Sequence, residues 1–455
     1  MEIGVFTFAD VSPGPGGVGA PQRLPELVEE MGLADEVGLD VFGIGEHHRP
    51  DFAAPAPAVL LAAGASRTSA IRLTSAVTVL GSDDPLRVLE QFSMLDALSG
   101  GRAEIMVGRG AFVETFDLFG YDLNDYDDLF AEKLDLLLAL RTGGPVTWSG
   151  RHRAPLVDAV VHPAPVQHPI PVWLGAGGSP ESFVRAGRLG LPLALGIVGG
   201  SPARFAPAIE VYRRVLGESG QTPQPVAVTV HGFVAKTSQA AADIYYPADS
   251  ELMNRVGRER GFPPTSRPEF DRKILAGGPY IVGSPGEVTE GILLLHQVLG
   301  HKRTLFQLAV GSLGHNDVMR AIELLGTEVA PAVRSELGRG IGVLSAPAVE
   351  LELFLGNQAV EDSAGDRSQL ADLPVGETVE EEALHVPAVL WCRAPDGGQS
   401  GLGEHGVHGP RRVRVRLPYH QAPGAHPGEL VVEATLLPAD HLSQLIEAAA
   451  PAGSL

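Results

Sequence analysis

A chain of 455 residues, 44% hydrophobic and 20% charged, is long enough for one (β/α)8 barrel of about 250 residues plus an appendage. The formal net charge of -21 disfavours electrostatic attraction to nucleic acid or an anionic membrane surface. The single cysteine, Cys392, excludes an intrachain disulfide and a thiolate-held metal, so a cytoplasmic home is the simple expectation.

The opening MEIGVFTFAD has no basic n-region and reads as a first strand, not a signal peptide. No apolar run approaches the roughly 18 residues that span a bilayer. From there short β-branched runs alternate with amphipathic stretches. IGVFTF (3–8) precedes LPELVEEMGLADEVG (24–38), whose apolar residues recur at helical spacing. VFGIGEHH (41–48) leads to a helix near 57–68, and IRLTSAVTVL (71–80) leads to PLRVLEQFSMLDALSG. RAEIMVGRG (102–110) is followed by a helix around 126–141, and PVWLGAGG (171–178) by SPESFVRAGRLG. LPLALGIVGG (191–200) precedes a helix near 202–217; PVAVTVHGFVA (225–235) and TLFQLAVGS (304–312) bring the strands to eight.

Eight β-then-α units in alternation predict parallel strands with helical crossovers, closed as a barrel over residues 1–340. An open doubly wound sheet carries a similar pattern, but eight units favour closure. Two insertions interrupt the rhythm. Residues 148–165 read as a surface hairpin, and 236–283 is too long for a simple βα loop and reads as a lid over the mouth. Residues 341–455 form a C-terminal extension of uncertain structure, with no lysine and six arginines. It reads either as partly disordered or as a small α/β add-on, with strands at 411–417 and 429–437 and a helix at 439–450.

The active site of such a barrel lies at the C-terminal ends of its strands. At the end of the second strand stand Glu46, His47 and His48. Alternation along the strand turns Phe42 and Ile44 outward and puts Gly43, Gly45 and His47 on the barrel side. That face is expected to leave room for a flat ligand with His47 at its rim. Taken alone, His47 also fits a purely structural role at a strand end. Adjacent histidines diverge on a strand and no metal-ligand spacing accompanies them, so no metal site is expected. A glycosidase-like pair such as Glu46 with Glu114 has no supporting surroundings.

The second feature is LGAGGSPES (174–182). Ser179 is a favoured N-cap and Pro180 suits the first helical position, so free backbone N–H groups there offer a phosphate seat. Gly177 and Gly178 permit close approach, and Ser179 and Ser182 offer hydroxyls. A tight βα turn uses the same residues. Arg109 is a cation suited to that phosphate, or equally to a surface ion pair. The glycines of LGAGGS lack the G-x-G-x-x-G spacing of a nicotinamide site.

Taken in order, GEHH, SAVTVLGSDDPLRVLEQ, SGGRAEIMVGRG, PVWLGAGGSPES and AIELLGTEVAP resemble the luciferase-like monooxygenases of the bacterial-luciferase-like superfamily, over residues 1 to about 337. The resemblance implies a (β/α)8 TIM barrel that binds FMN. It implies that His47 is the catalytic histidine beside the reactive edge of the isoalloxazine. Ala76, Val77 and Thr78 match a stretch where relatives often place a non-prolyl cis peptide under the flavin. Arg109, Gly177, Gly178, Ser179 and Ser182 match the flavin-phosphate site, and Glu114 an acidic position near the flavin. The implied reaction takes reduced FMN, from a separate flavin reductase, and molecular oxygen. It oxidises a small organic substrate through a flavin C4a-peroxide, with a homodimer as the usual assembly. A deazaflavin-dependent dehydrogenase or reductase and a non-catalytic flavin-binding subunit are the alternatives on the same fold.

Overall fold

A computed structural model of the chain describes residues 1–12, 17–110, 112–197, 199–261 and 263–339. The strands and helix expected between 411 and 450 lie outside the described residues.

Eight parallel strands close into a barrel: β1 (Glu2–Thr7), β2 (Val41–Ile44), β3 (Arg72–Ser75, resuming at Thr78–Val79), β4 (Ala103–Gly108), β5 (Val172–Ala176), β6 (Leu193–Ile197), β7 (Val226–Val234) and β8 (Arg303–Gln307). Closure is made by β8, which pairs with β1 through Phe6↔Gln307 and with β7 through His231↔Gln307. The strands β3 and β4 are in register at Thr74↔Glu104 and again at Thr78↔Val107. Four steps along β3 therefore match three along β4, so β3 carries one extra residue, as a bulge does. The extra residue falls at Ala76–Val77, whose peptide bond is cis.

The crossover helices begin and end on local chemistry. In α1 (Ala20–Glu36) the residues Leu27, Met31 and Ala34 form the buried stripe against the barrel. Asp84 caps α3 (Pro85–Ser99), following α2 (Pro57–Ala65), by accepting from the Leu86 and Arg87 N–H groups, and Gly100 ends it at φ 69°. After α4 (Tyr126–Leu140) come α5 (Pro180–Leu189), α6 (Ala206–Glu218), α7 (Ser238–Arg260) and α8 (Pro285–Leu299). A capping box between Ser284 and Glu287 starts α8.

The core has two layers. The larger lies between barrel and helices. The smaller fills the barrel with one residue from each strand or its end: Phe6, Val41, Ala76, Met106, Trp173, Ala194, Ala227 and Leu305. Below this plug Arg303, 1% exposed, donates to Glu104 at 2.5 and 3.1 Å and to Glu2 at 2.7 Å, with its guanidinium 4.3 Å from the Trp173 ring centre. A filled interior confines any ligand to the upper mouth.

Both insertions have defined structure. Val146–Trp148 and Leu156–Ala159 form the expected antiparallel hairpin. The 236–283 segment, expected as a lid over the mouth, is built of regular elements and borders a cavity there through Leu252, Met253, Val256 and Arg260. It holds the 23-residue α7, a short helix at Arg267–Lys273, and a strand at Tyr280–Gly283 that pairs in parallel with the upper end of β7. Pro247 within α7 interrupts the helical signal in the sequence.

Candidate active site

A cavity of about 520 Å³ opens at the C-terminal ends of the strands. One wall is aromatic. The His47 ring stacks on Phe52 with centroids 4.4 Å apart and meets Phe8 edge-on at 4.5 Å and Phe112 at 5.3 Å. Burial, together with the nearby Arg49 and His48, lowers the His47 pKa to about 4, so the imidazole is neutral at neutral pH. Arg49 lies 4.5 Å from the Phe112 ring centre and pairs with Glu259 of α7 at 2.5 Å, which ties the mouth loops to that helix.

The two glycines before His47 serve packing instead of ligand space. A Cβ on Gly43 would stand 2.9 Å from the Ala76 Cβ and 3.0 Å from the Phe6 Cβ, and one on Gly45 only 2.4 Å from Phe8. The expected open face is thus filled by side chains of β1 and the bulge of β3. The glycines that border the cavity are Gly108, Gly110, Gly175, Gly177 and Gly196. At Gly108 and Gly175 a Cβ would press on the Val77 side chain, at 2.8 and 3.0 Å. These two positions form a flat cradle around the cis peptide.

Glu46 has a role that the sequence reading did not assign. Its carboxylate accepts from the Val79 N–H at 2.9 Å and pairs with His48 Nε2 at 2.9 Å, and its backbone N–H donates to the Val77 carbonyl at 3.0 Å. It holds the upper part of β3 against β2.

At the other end of the cavity α5 begins. Ser179 has the extended backbone of an N-cap but its hydroxyl makes no cap bond; it donates to Glu181 at 2.8 Å. Pro180 occupies the first turn as expected. Arg109 donates to Ser182 Oγ at 3.4 Å, pairs with Asp127 at 2.5 Å, and lies 5.4 Å from the Tyr126 ring centre. Arg109 thus makes the ion pair expected as one alternative, and it borders the cavity beside Ser182. A Cβ on Gly177 would meet nothing within 4 Å, so the turn is open there. A cation, a hydroxyl and the N-terminus of a ten-residue helix converge on this space, a donor set that suits a phosphate monoester.

Of the residues singled out from sequence, His47, Ala76, Val77, Arg109, Gly177, Ser179 and Ser182 border the cavity. Three do not. Thr78 is buried in the pairing of β3 with β4, Gly178 sits in the turn at φ 120°, and Glu114 begins the short helix Glu114–Phe119 outside the lining. His231, Gln307, Tyr126 and Arg260 border the cavity and were not anticipated. The available signal for His231 and Gln307 was a polar residue in the C-terminal half of each of the strands VAVTVHGFV and RTLFQ. Among the described residues Asp125, Asp128 and His152 bring potential ligand atoms within 4.8 Å of one another, but Arg151 already spans the two carboxylates at 3.0 and 3.3 Å. No described helix is long and apolar enough to cross a membrane.

Comparison with known proteins agrees with this architecture. The family model for luciferase-like monooxygenases matches residues 1–302. The chain is 28% identical over 330 residues to 4-hydroxyprotoasukamycin monooxygenase of Streptomyces nodosus subsp. asukaensis, covering 69% of this chain and 86% of that one. It shares its fold with the oxygenating constituent of 3,6-diketocamphane monooxygenase from Pseudomonas putida, solved with FMN, at TM-score 0.61, 22% identity, and coverage of 73% and 98%. It shares it too with the coenzyme F420-dependent tetrahydromethanopterin reductase of Methanopyrus kandleri, at TM-score 0.55, 20% identity, and coverage of 73% and 99%. The chain belongs to the luciferase-like monooxygenase family and is an oxidoreductase of that family.

Proposed function

We propose that the chain is a flavin-dependent monooxygenase that takes reduced FMN and molecular oxygen and oxidises a small organic substrate. The observation that carries this reading is the single cavity wall running from His47, past the cradle of Gly108, Gly175 and Val77, to the Arg109–Ser182 end of α5. A planar ring with a phosphate tail matches the chemistry along it. Gly177, Ser179, Ser182 and Arg109 would hold the phosphate, and Ala76 and Val77 would support the ring. The flavin supplies the oxygen-activating redox chemistry when bound. His47, neutral and packed between three phenyl rings, is placed to take or return a proton at the imidazole. The apolar wall and the α7 residues Leu252, Met253 and Val256 exclude water from the space beside it. Reduced flavin from a separate reductase fits the lack of a nicotinamide fingerprint in the barrel sequence.

The fold shared with an F420-dependent reductase favours one second reading, hydride transfer from a deazaflavin without oxygen. Titration of the purified chain with FMN and with F420, followed by absorbance and oxygen uptake, separates the two. The monooxygenase reading expects preferential binding of FMN and oxygen consumption that rises with an oxidisable substrate. Preferential binding of F420 with no oxygen uptake sinks it.

A further inference from the structure

The cavity has a second polar corner, on β7 and β8. His231 on β7 and Gln307 on β8 are direct register partners across the strands that close the barrel. Both border the cavity, and they are only 7% and 3% exposed. The His231 ring is fixed by stacking on Tyr280, with centroids 4.8 Å apart and an interplanar angle of 22°. Its Nδ1 is shut into the protein without a hydrogen-bond partner. Nε2 is not shut in, and it too makes no hydrogen bond to the described residues. The Gln307 side-chain amide likewise has no partner among them; only its backbone carbonyl is used, by Tyr245.

Two buried polar side chains whose unused hydrogen-bonding groups reach one cavity wall are placed to meet a polar atom of a ligand. Their chemistry narrows that atom. Orphaned buried N–H groups are rarer than under-used acceptors, so the sealed Nδ1 is the bare nitrogen and Nε2 carries the proton. Nε2–H and the Gln307 amide N–H are then two uncharged donors on adjacent strands at one register level of the cavity wall. The surrounding wall is apolar, from Leu252, Val256 and Phe8.

We propose that His231 and Gln307 seat the carbonyl oxygen of a neutral, otherwise apolar substrate in the cavity that His47 also borders. This deepens the monooxygenase reading and depends on it only for the position of the reacting edge. A hydrocarbon would leave both donors unmatched, and a neutral carbonyl matches them without drawing on the charges of Lys273, which acts on His231, or Arg260, which borders the same cavity.

The test is calorimetric titration of the full chain, with and without FMN, using 2-nonanone, nonane and nonanoate as length-matched probes. The ketone is expected to bind about tenfold more tightly than either of the others. His231→Phe keeps a ring against Tyr280 and removes the donor, and it should cut that preference below about threefold; Gln307→Leu should do so in part. Should the His231 variant fail to fold, the probe order in the unaltered chain and in Gln307→Leu decides the matter. Equal or tighter binding of nonanoate, no measurable ketone binding, or a ketone preference that survives both substitutions overturns the proposal. Failure of FMN to bind, with the ketone preference intact, counts against the flavin reading and leaves the carbonyl seat standing.

Discussion

The Glu46 carboxylate accepts a hydrogen bond from the Val79 backbone N–H at 2.9 Å, while the Glu46 N–H donates to the Val77 carbonyl at 3.0 Å. One side chain and its own backbone thus bracket Thr78, directly after the extra residue of β3. The bracket sets where the Ala76–Val77 peptide lies beneath the cavity.

Glu46→Ala should leave the Val79 N–H buried and unpaired, at a cost of about 1–3 kcal/mol. Glu46→Gln keeps an amide oxygen in the same place and should cost clearly less. Urea denaturation of both variants measures this. Equal stabilities for the two would show that the bracket does not hold the strand.

His47→Ala should reduce turnover by roughly 10²–10⁴-fold while changing FMN affinity by less than about threefold. Because burial holds the His47 pKa near 4, the neutral imidazole is fully populated above about pH 5. The unaltered enzyme should therefore lose kcat/KM on the acid side only as pH falls through about 4. An acid limb centred near the ordinary imidazole value would contradict the assignment of His47 as the proton carrier.

Asp249 lies wholly buried in α7 beside the Tyr280 hydroxyl, and burial pushes its pKa up to about 6, against the lowering by Lys273 and Tyr280. A raised carboxyl pKa favours the fold when protonated. That contribution is intact below the unfolded value near 3.8 and is lost as pH rises through about 6. Asp249→Asn should accordingly gain stability over the unaltered chain as pH goes from 4 to 8, by up to about 3 kcal/mol. Thermal melts at the two pH values check it. A difference independent of pH would show that the carboxyl titrates normally.

The barrel was legible because each strand and its helix announce themselves locally: eight β-branched runs, each followed by a 3.6-period stretch. His47 and the Ser179–Pro180 helix start were legible for the same reason, since each sits at the end of one such unit. What escaped the sequence depends on closure between distant segments. The space above Gly43 and Gly45 is taken by Phe6 and Phe8, which come from another strand. His231 and Gln307 are 76 positions apart and become neighbours only through the register of β7 with β8. The Ser179 hydroxyl turns to Glu181 instead of capping the helix, a choice between two nearby partners that spacing does not decide. α7 was hidden by Pro247 and by a mixed face that lines the cavity on one side only.

The account rests on a phosphate-tailed ring anchored where Arg109, Ser182 and the start of α5 converge. The most direct measurement compares equilibrium binding of FMN and of riboflavin to the unaltered chain and to Arg109→Ala and Ser182→Ala. FMN should bind the unaltered chain more tightly than riboflavin, and each substitution should weaken FMN by about tenfold while moving riboflavin by less than twofold. Equal affinity for the two flavins, or equal losses for both in the variants, would contradict the placement of the phosphate and with it the orientation of the ring toward His47.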